Sequence, residues 1–219
     1  MMILTTLVMF GCAPSIQIQR DFYDPGFSFK QMKSTTKIAL FVSENIRLTD
    51  YADTYHQVYP SDQFFFLALK KQIADTINAV IGCPVDFTGT SGAAAELHAS
   101  GIDRSSTASL QQLFSGSSAD YFLTVNSVEI SRKIILESPM LTSNPNDGGG
   151  TMVNSGESEN CRVVIGVEVW SVKTRRKVLS YSSTGESPAT QLLYGAALKN
   201  ALAGSVRLMI RYLATGHLS

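Results

Sequence analysis

The chain has 219 residues, enough for one buried core, and 16% of them are charged, below the roughly 25% usual for soluble domains. Lysine plus arginine balances aspartate plus glutamate at 18 each, so there is no basic field to attract phosphate backbones, and nucleic acid is not expected as a partner. No later stretch reaches the roughly 20 apolar residues needed to cross a bilayer as a helix, which leaves any membrane association to the amino terminus.

From Met1 to Phe10 only Thr5 and Thr6 interrupt an apolar run, and in "LVMFGCAPS" Gly11 sets a small residue directly before Cys12. This segment resembles the signal peptide and lipobox of bacterial lipoproteins, with Met9 and Phe10 where leucine and alanine or serine are usual, and with no lysine or arginine ahead of the run. The resemblance implies removal of residues 1–11, lipidation of Cys12 and acylation of its new amino group with palmitate-like chains. Each buried methylene contributes about 0.8 kcal/mol, so several chains on one residue make a permanent anchor. Ala13 stands where an aspartate would signal inner-membrane retention, and by the same resemblance the periplasmic face of the outer membrane is the expected location. The competing reading makes Cys12 part of a buried first element. The helix- and strand-breaking "APS" and the polar "QIQRD" that follow weigh against it.

Two further cysteines, Cys83 and Cys161, remain. In an oxidising periplasm they could form a disulfide, contributing roughly 4 kcal/mol by closing a long loop, or stay as two separate buried thiols; the sequence leaves both open.

Residues 13–36 are polar with scattered aromatics and a turn at Asp24-Pro25-Gly26, so 12–36 reads as a lipidated tether, either free or lying against the domain, at most about 80 Å long and too rich in aromatics for a disordered stalk. The α/β domain is expected over 37–219. It opens with "KIALFVS", whose unbroken apolar run Ile38 to Val42 fits an interior strand. Ser61 then caps a predicted helix in which Phe65, Leu69, Ile73 and Ile77 recur every four residues until Gly82-Cys83-Pro84 stops it. "PVDFTG" is a second strand, parallel to the first. Residues 89–104 are small and loop-like, and a short helix follows with Leu110, Leu113 and Phe114 on one side.

"YFLTVNSVEISRKIIL" reads as a long strand, and "SNPNDGGGTMVNSGESEN" as a flexible loop. Beyond the loop, Val163, Ile165, Val167 and Val169 alternate on one face of a strand that turns at "KTRR" into an antiparallel partner. Ser187-Pro188 is a helix-start signal for a long final helix with the stripe Leu193, Ala197, Ala201, Gly204, Leu208 and Tyr212. The order β-α-β-α-β-β-β-α defines an α/β (α+β) fold, a single mixed β-sheet packed with helices.

This succession over residues 37–214, with "ADYFLTVNSVEIS" and "VVIGVEVWSVKTRRKVLS" closing on a carboxy-terminal helix, resembles periplasmic lipoproteins with the fold of the TolB amino-terminal domain. That group includes the lipoprotein activator of penicillin-binding proteins and the curli-secretion lipoprotein. The chain lacks the long stalk of the activators, and residues 137–160 lack the alternating polarity of the curli-type hairpins.

No reactive set converges. Ser34-Thr35-Thr36-Lys37 fits S-x-x-K, but Lys37 opens a strand and the motif needs a helix to bring the lysine to the serine. Asp147-Gly148-Gly149-Gly150 lacks the lysine and hydroxyl of a phosphate loop. His56, His98 and His217 stand singly, so neither a metal nor a cofactor is expected. Tyr51, Tyr55 and Tyr59 fall in a predicted loop, either as interface anchors or packed over their own sheet. Trp170, opposite in phase to Val169, either covers a helix or meets a partner.

The expected function is therefore non-enzymatic: a lipid-anchored envelope protein that binds another envelope protein as scaffold, activator or secretion or assembly accessory. The alternative is a lipid or glycan carrier auxiliary to an envelope transport system, which requires an apolar cavity between sheet and helices.

Overall fold

The computed structural model describes residues 17–87, 91–99, 108–136, 140–143, 150–153, 157–190 and 193–217. Their elements run β1 (Gln17–Tyr23), a 3-10 turn (Phe29–Gln31), β2 (Ile38–Val42), β3 (Ile46–Leu48), α1 (Ala52–Val58), α2 (Asp62–Val80) and β4 (Val85–Asp86). There follow α3 (Ser91–Ala99), α4 (Ala108–Gly116), β5 (Tyr121–Leu136), β6 (Met140–Ser143), β7 (Gly150–Val153), β8 (Glu157–Ser171), β9 (Arg176–Ala189) and α5 (Tyr194–Thr215).

The protein is mixed α/β, built on one seven-stranded sheet of order β1-β9-β8-β5-β2-β4. β2 and β3 lie end to end along β5, both parallel to it, with Ile38 opposite Tyr121 and Ile46 opposite Val128. β4 runs parallel to β2 on its outer side. β5, β8, β9 and β1 are successively antiparallel. β6 and β7 form a separate antiparallel pair, and β7 lies within residues 143–160, read from sequence as a flexible loop.

Helices cover both faces, and that explains β2. Ile38, Leu40 and Val42 enter the large core beneath α2 and α5, while Ala39 and Phe41 join a smaller cluster with Ala94 and Leu97 of α3 and Phe114 of α4. A strand buried on both sides has no polar phase, hence the continuous apolar run. α2 follows its sequence pattern: the Ser61 hydroxyl accepts from the Phe64 amide, Phe65, Leu69, Ile73 and Ile77 are wholly buried, and Gly82 exits with φ +78°.

α5 lies close on β9 because its contact residues are small. Ser205 donates to the Ser183 carbonyl at 2.9 Å, and Gly185 leaves room for the helix backbone at Ala201 and Ser205. Tyr181 donates to the Met209 carbonyl at 3.0 Å.

Several readings of the sequence are refined. Residues 17–36 lie against the domain, and their first part enters its sheet: β1 pairs with β9, Phe27 and Met32 are buried, and Phe29 packs on Tyr212 at 5.3 Å between ring centroids. Only Ile18 of β1's first five residues is buried, so this edge strand carries no alternation to read. Residues 91–99 form α3 rather than a loop, and 52–58 form α1. Ser187-Pro188 does not start α5. Both residues continue β9, opposite Cys161 and Asn160, beyond the last described β1 pair, where strand pairing outweighs the local cap signal. Leu193 is accordingly outside the buried stripe and exposed, whereas Ala197, Ala201, Leu208 and Tyr212 are buried.

Cys83 and Cys161 are free and buried, not bridged. Cys83 lies two residues before Val85, level with Ile38, Tyr121 and Ser171 at one end of the sheet; Cys161 is ten residues up β8. That is about 33 Å along a strand, against the 7 Å that a disulfide spans between Cα atoms. Burial, reinforced by the Glu159 charge, pushes the Cys161 thiol up to about 12, and burial also raises Cys83. The Cys161 thiol stays protonated where a free one, near 9, ionises, only the thiolate alkylates, and the Cys83 side chain is wholly buried from reagent. Iodoacetamide near pH 9 is thus expected to spare both thiols in the native protein and to modify both in urea. Fast native alkylation, or a change of mass on reduction, contradicts this placement.

Candidate functional site

α2 has an outer face that the core does not use. Its inner positions take Phe65, Phe66, Leu69, Ile73 and Ile77, while Phe64 and Leu67 point outward and are exposed, as are Val80, the last residue of the helix and in phase with Ile77, and Phe87 just after β4. Two grooves flank this face. One, of about 750 Å³, runs between α2 and β4, with Leu67, Ala74, Pro84, Val85 and Phe87 in its apolar lining and Lys70 and Lys71 beside them. The other, about 670 Å³, separates α2 from α5, where Arg207 and Arg211 face Lys71 and Asp75. Among the charged residues lining the two, Asp75 is the one carboxylate beside four cations. β4 is the last strand on its side of the sheet, so its outer backbone edge lies beside the first groove.

The predicted anchors sit elsewhere. Tyr55 is completely buried, donating to Asp62 Oδ1 at 2.8 Å and packing on Phe65 at 5.4 Å. Tyr59 packs on the same ring at 5.1 Å. Tyr51 donates to the Glu159 carboxylate, and its ring meets Tyr194 at 5.3 Å. Burial first, then the neighbouring carboxylates, holds the Tyr51 and Tyr55 phenols well above their ordinary range. These side chains pin α1 to the body of the domain. Tyr55 offers nothing to a partner, and neither does Trp170, which is buried against Phe114 at 6.4 Å.

Around Trp170 lies a polar cluster that sequence reasoning missed. Glu168, 2% exposed, accepts from Lys177 Nζ at 2.8 Å and from Trp170 Nε1 at 3.3 Å, and its Oε1 lies 2.9 Å from His98 Nδ1. Lys177 also stands 5.3 Å from the centre of the Trp170 ring. A carboxylate behind an imidazole is one half of a hydrolytic triad, but among the described residues no hydroxyl or thiol bonds to the other half of the ring. The cluster fastens α3 to the sheet. The S-x-x-K match is likewise structural: Thr36 Oγ1 donates to the Gln31 carbonyl and accepts from the Lys33 amide, and the Lys37 amide donates to Asp120. No group of three metal-binding side chains occurs among the described residues. Cys12 and most of the glycine loop lie outside them.

The signal for the α2 face was present in the sequence. Phe64 and Leu67 are apolar residues off the four-residue stripe of a helix whose stripe was already complete.

No family model and no curated protein sequence matches the chain. Among solved structures, it is similar to the PelC dodecamer from Paraburkholderia phytofirmans, at 13% identity over 92% of this chain and 99% of that one, with a TM-score of 0.40. It is also similar to the hypothetical protein CT253 from Chlamydia trachomatis, at 8% identity over 82% of this chain and 98% of that one, with a TM-score of 0.45.

Proposed function

We propose that this protein is a non-enzymatic, lipid-anchored envelope component that holds its α/β domain at the periplasmic face of the outer membrane and binds another envelope protein through the outer face of α2. The observation that carries the recognition half is the exposed set Phe64, Leu67 and Phe87, of which Leu67 and Phe87 line the groove beside Lys70 and Lys71. Solvated helix faces gain nothing from such residues, whereas a partner segment with apolar side chains and flanking carboxylates would cover them and pair with Lys70, Lys71, Arg207 and Arg211. The anchoring half rests on the resemblance of "LVMFGCAPS" to a lipobox, and the element order resembling TolB-type lipoproteins is consistent with it. An anchor concentrates the domain on one surface, so modest affinity suffices.

Two measurements test this. Intact mass of the native protein is expected to show residues 1–11 removed and acyl chains on Cys12. A photo-crosslinker at Leu67 in living cells is expected to give one discrete envelope-protein adduct, absent from a crosslinker at Lys173 and lost on Phe87→Asp. Equal, diffuse adducts from both positions would overturn the recognition half, and an unacylated, unprocessed chain would overturn the anchoring half.

A further inference from the structure

The β5–β8 pair runs two residues past β9, whose Ala189 is level with Glu159 and Ile134, and among the described residues its end carries apolar side chains that lie outside the large core. Ile134 and Leu136, alternate residues of β5 and therefore on one face, are 52% and 71% exposed. They follow Ile130 and Arg132 in the phase that faces the large core lower down, but neither belongs to that core. Leu193, 59% exposed, belongs to the same end: it adjoins Tyr194, whose hydroxyl reaches Glu159, the cross-strand neighbour of Ile134.

The register fixes how far this end lies from Cys12. Gln17 is level with Thr184, Val164 and Glu129. β1 runs antiparallel to β9, so its Gln17 end is the one nearer Ile134 and Leu136. Cys12 precedes Gln17 by five residues, and Ile134 follows Glu129 by five. Even drawn out fully along the strand direction, Cys12 travels about 17 Å and comes level with Ile134, whereas Leu136 stands about 23 Å beyond the level of Gln17. The leash is shorter than the arm.

We propose that the end of the β5–β8 arm, through Ile134 and Leu136 with Leu193 beside them, rests in the membrane leaflet that holds the acyl chains of Cys12; this rests on the anchoring proposed above. A domain tethered so closely has to turn some surface to the leaflet. Among the described residues, the β1 edge is also within reach, and it presents Gln17, Gln19, Arg20 and Asp21, which gain nothing from lipid. The arm lies at headgroup depth and does not cross, because the outer backbone edge of β5 beyond Ile130 has no strand partner among the described residues, and unpaired peptide groups do not enter hydrocarbon. The orientation leaves the α2 grooves on the flank of the domain, open to a partner.

The test uses the full mature lipoprotein in vesicles of phosphatidylethanolamine and phosphatidylglycerol with brominated acyl chains. Leu136→Trp is expected to lose emission to the bromines and to shift to the blue, while Lys173→Trp, at the opposite end of the sheet, is not. Buried Trp170 contributes the same background to both. If intact mass confirms the acyl chains and Leu136→Trp is quenched no more than Lys173→Trp, the arm does not touch the leaflet although the anchor stands. A chain without acyl groups removes the anchor and this proposal together.

Discussion

Gly185→Ala is expected to destabilise the protein by about 3 kcal/mol or more, the upper range for overpacking, and Gly185→Val to prevent soluble folding. A β-carbon at Gly185 would stand 2.5 Å from the Ser205 amide nitrogen and closer still to the Ala201 carbonyl oxygen. Both obstacles are helix backbone, so no rotamer change relieves the clash. α5 would have to move away from β9, separating Ser205 from Ser183 and thinning the contact around Tyr181 and Met209. Gly204→Ala is the matched control. It sits in the same interface, but its new methyl would find only the Gly185 Cα at 3.9 Å, an ordinary contact. In a helix that change gains about 0.5–1 kcal/mol of propensity. Urea unfolding midpoints should therefore move in opposite directions for the two variants. A Gly185→Ala midpoint equal to wild type would refute the close approach of α5.

Lys177→Met is expected to cost about 3 kcal/mol, because it leaves the Glu168 charge buried without its cation. Removing the charge as well should restore most of that loss: in Glu168→Gln with Lys177→Met, the amide oxygen remains for Trp170 Nε1, and no ion is left in the interior. The double-mutant cycle built on urea midpoints measures the coupling directly. Additive losses would mean that the two side chains do not form the ion pair at 2.8 Å. His98 is half-exposed, so His98→Ala is a small perturbation beside these and serves as the baseline for α3 docking.

What the sequence made readable was local. The Ser61 cap and the spacing of Phe65, Leu69, Ile73 and Ile77 lie within one helix, and the alternation of Val163, Ile165, Val167 and Val169 within one strand; each needs only its own period to be recognised. The misread elements depended on distant chain. Ser187-Pro188 has the chemistry of a helix start, yet β8 had already set out a partner for both residues. β1 shows almost no apolar phase because an edge strand over a rim of core needs only Ile18. The Glu168 cluster was hidden for a related reason. Glu168 lies in the polar phase of β8, which reads as solvent-facing unless α3 is known to lie over it, and a bulge between Val169 and Trp170 shifts the register at which Lys177 arrives. The α2 outer face was readable from composition alone, since Phe64 and Leu67 exceed what one buried stripe requires.

The pairing of β1 with β9 also orders events in time. Gln17 meets Thr184, 167 positions later in the chain, so a polypeptide emerging amino end first carries β1 unpaired until β9 has been delivered. Contacts so remote form late and close a large loop. Until then β9's future neighbour is an unsheltered ribbon that invites foreign strands, and chaperone custody of this one heptapeptide is what biogenesis would have to provide.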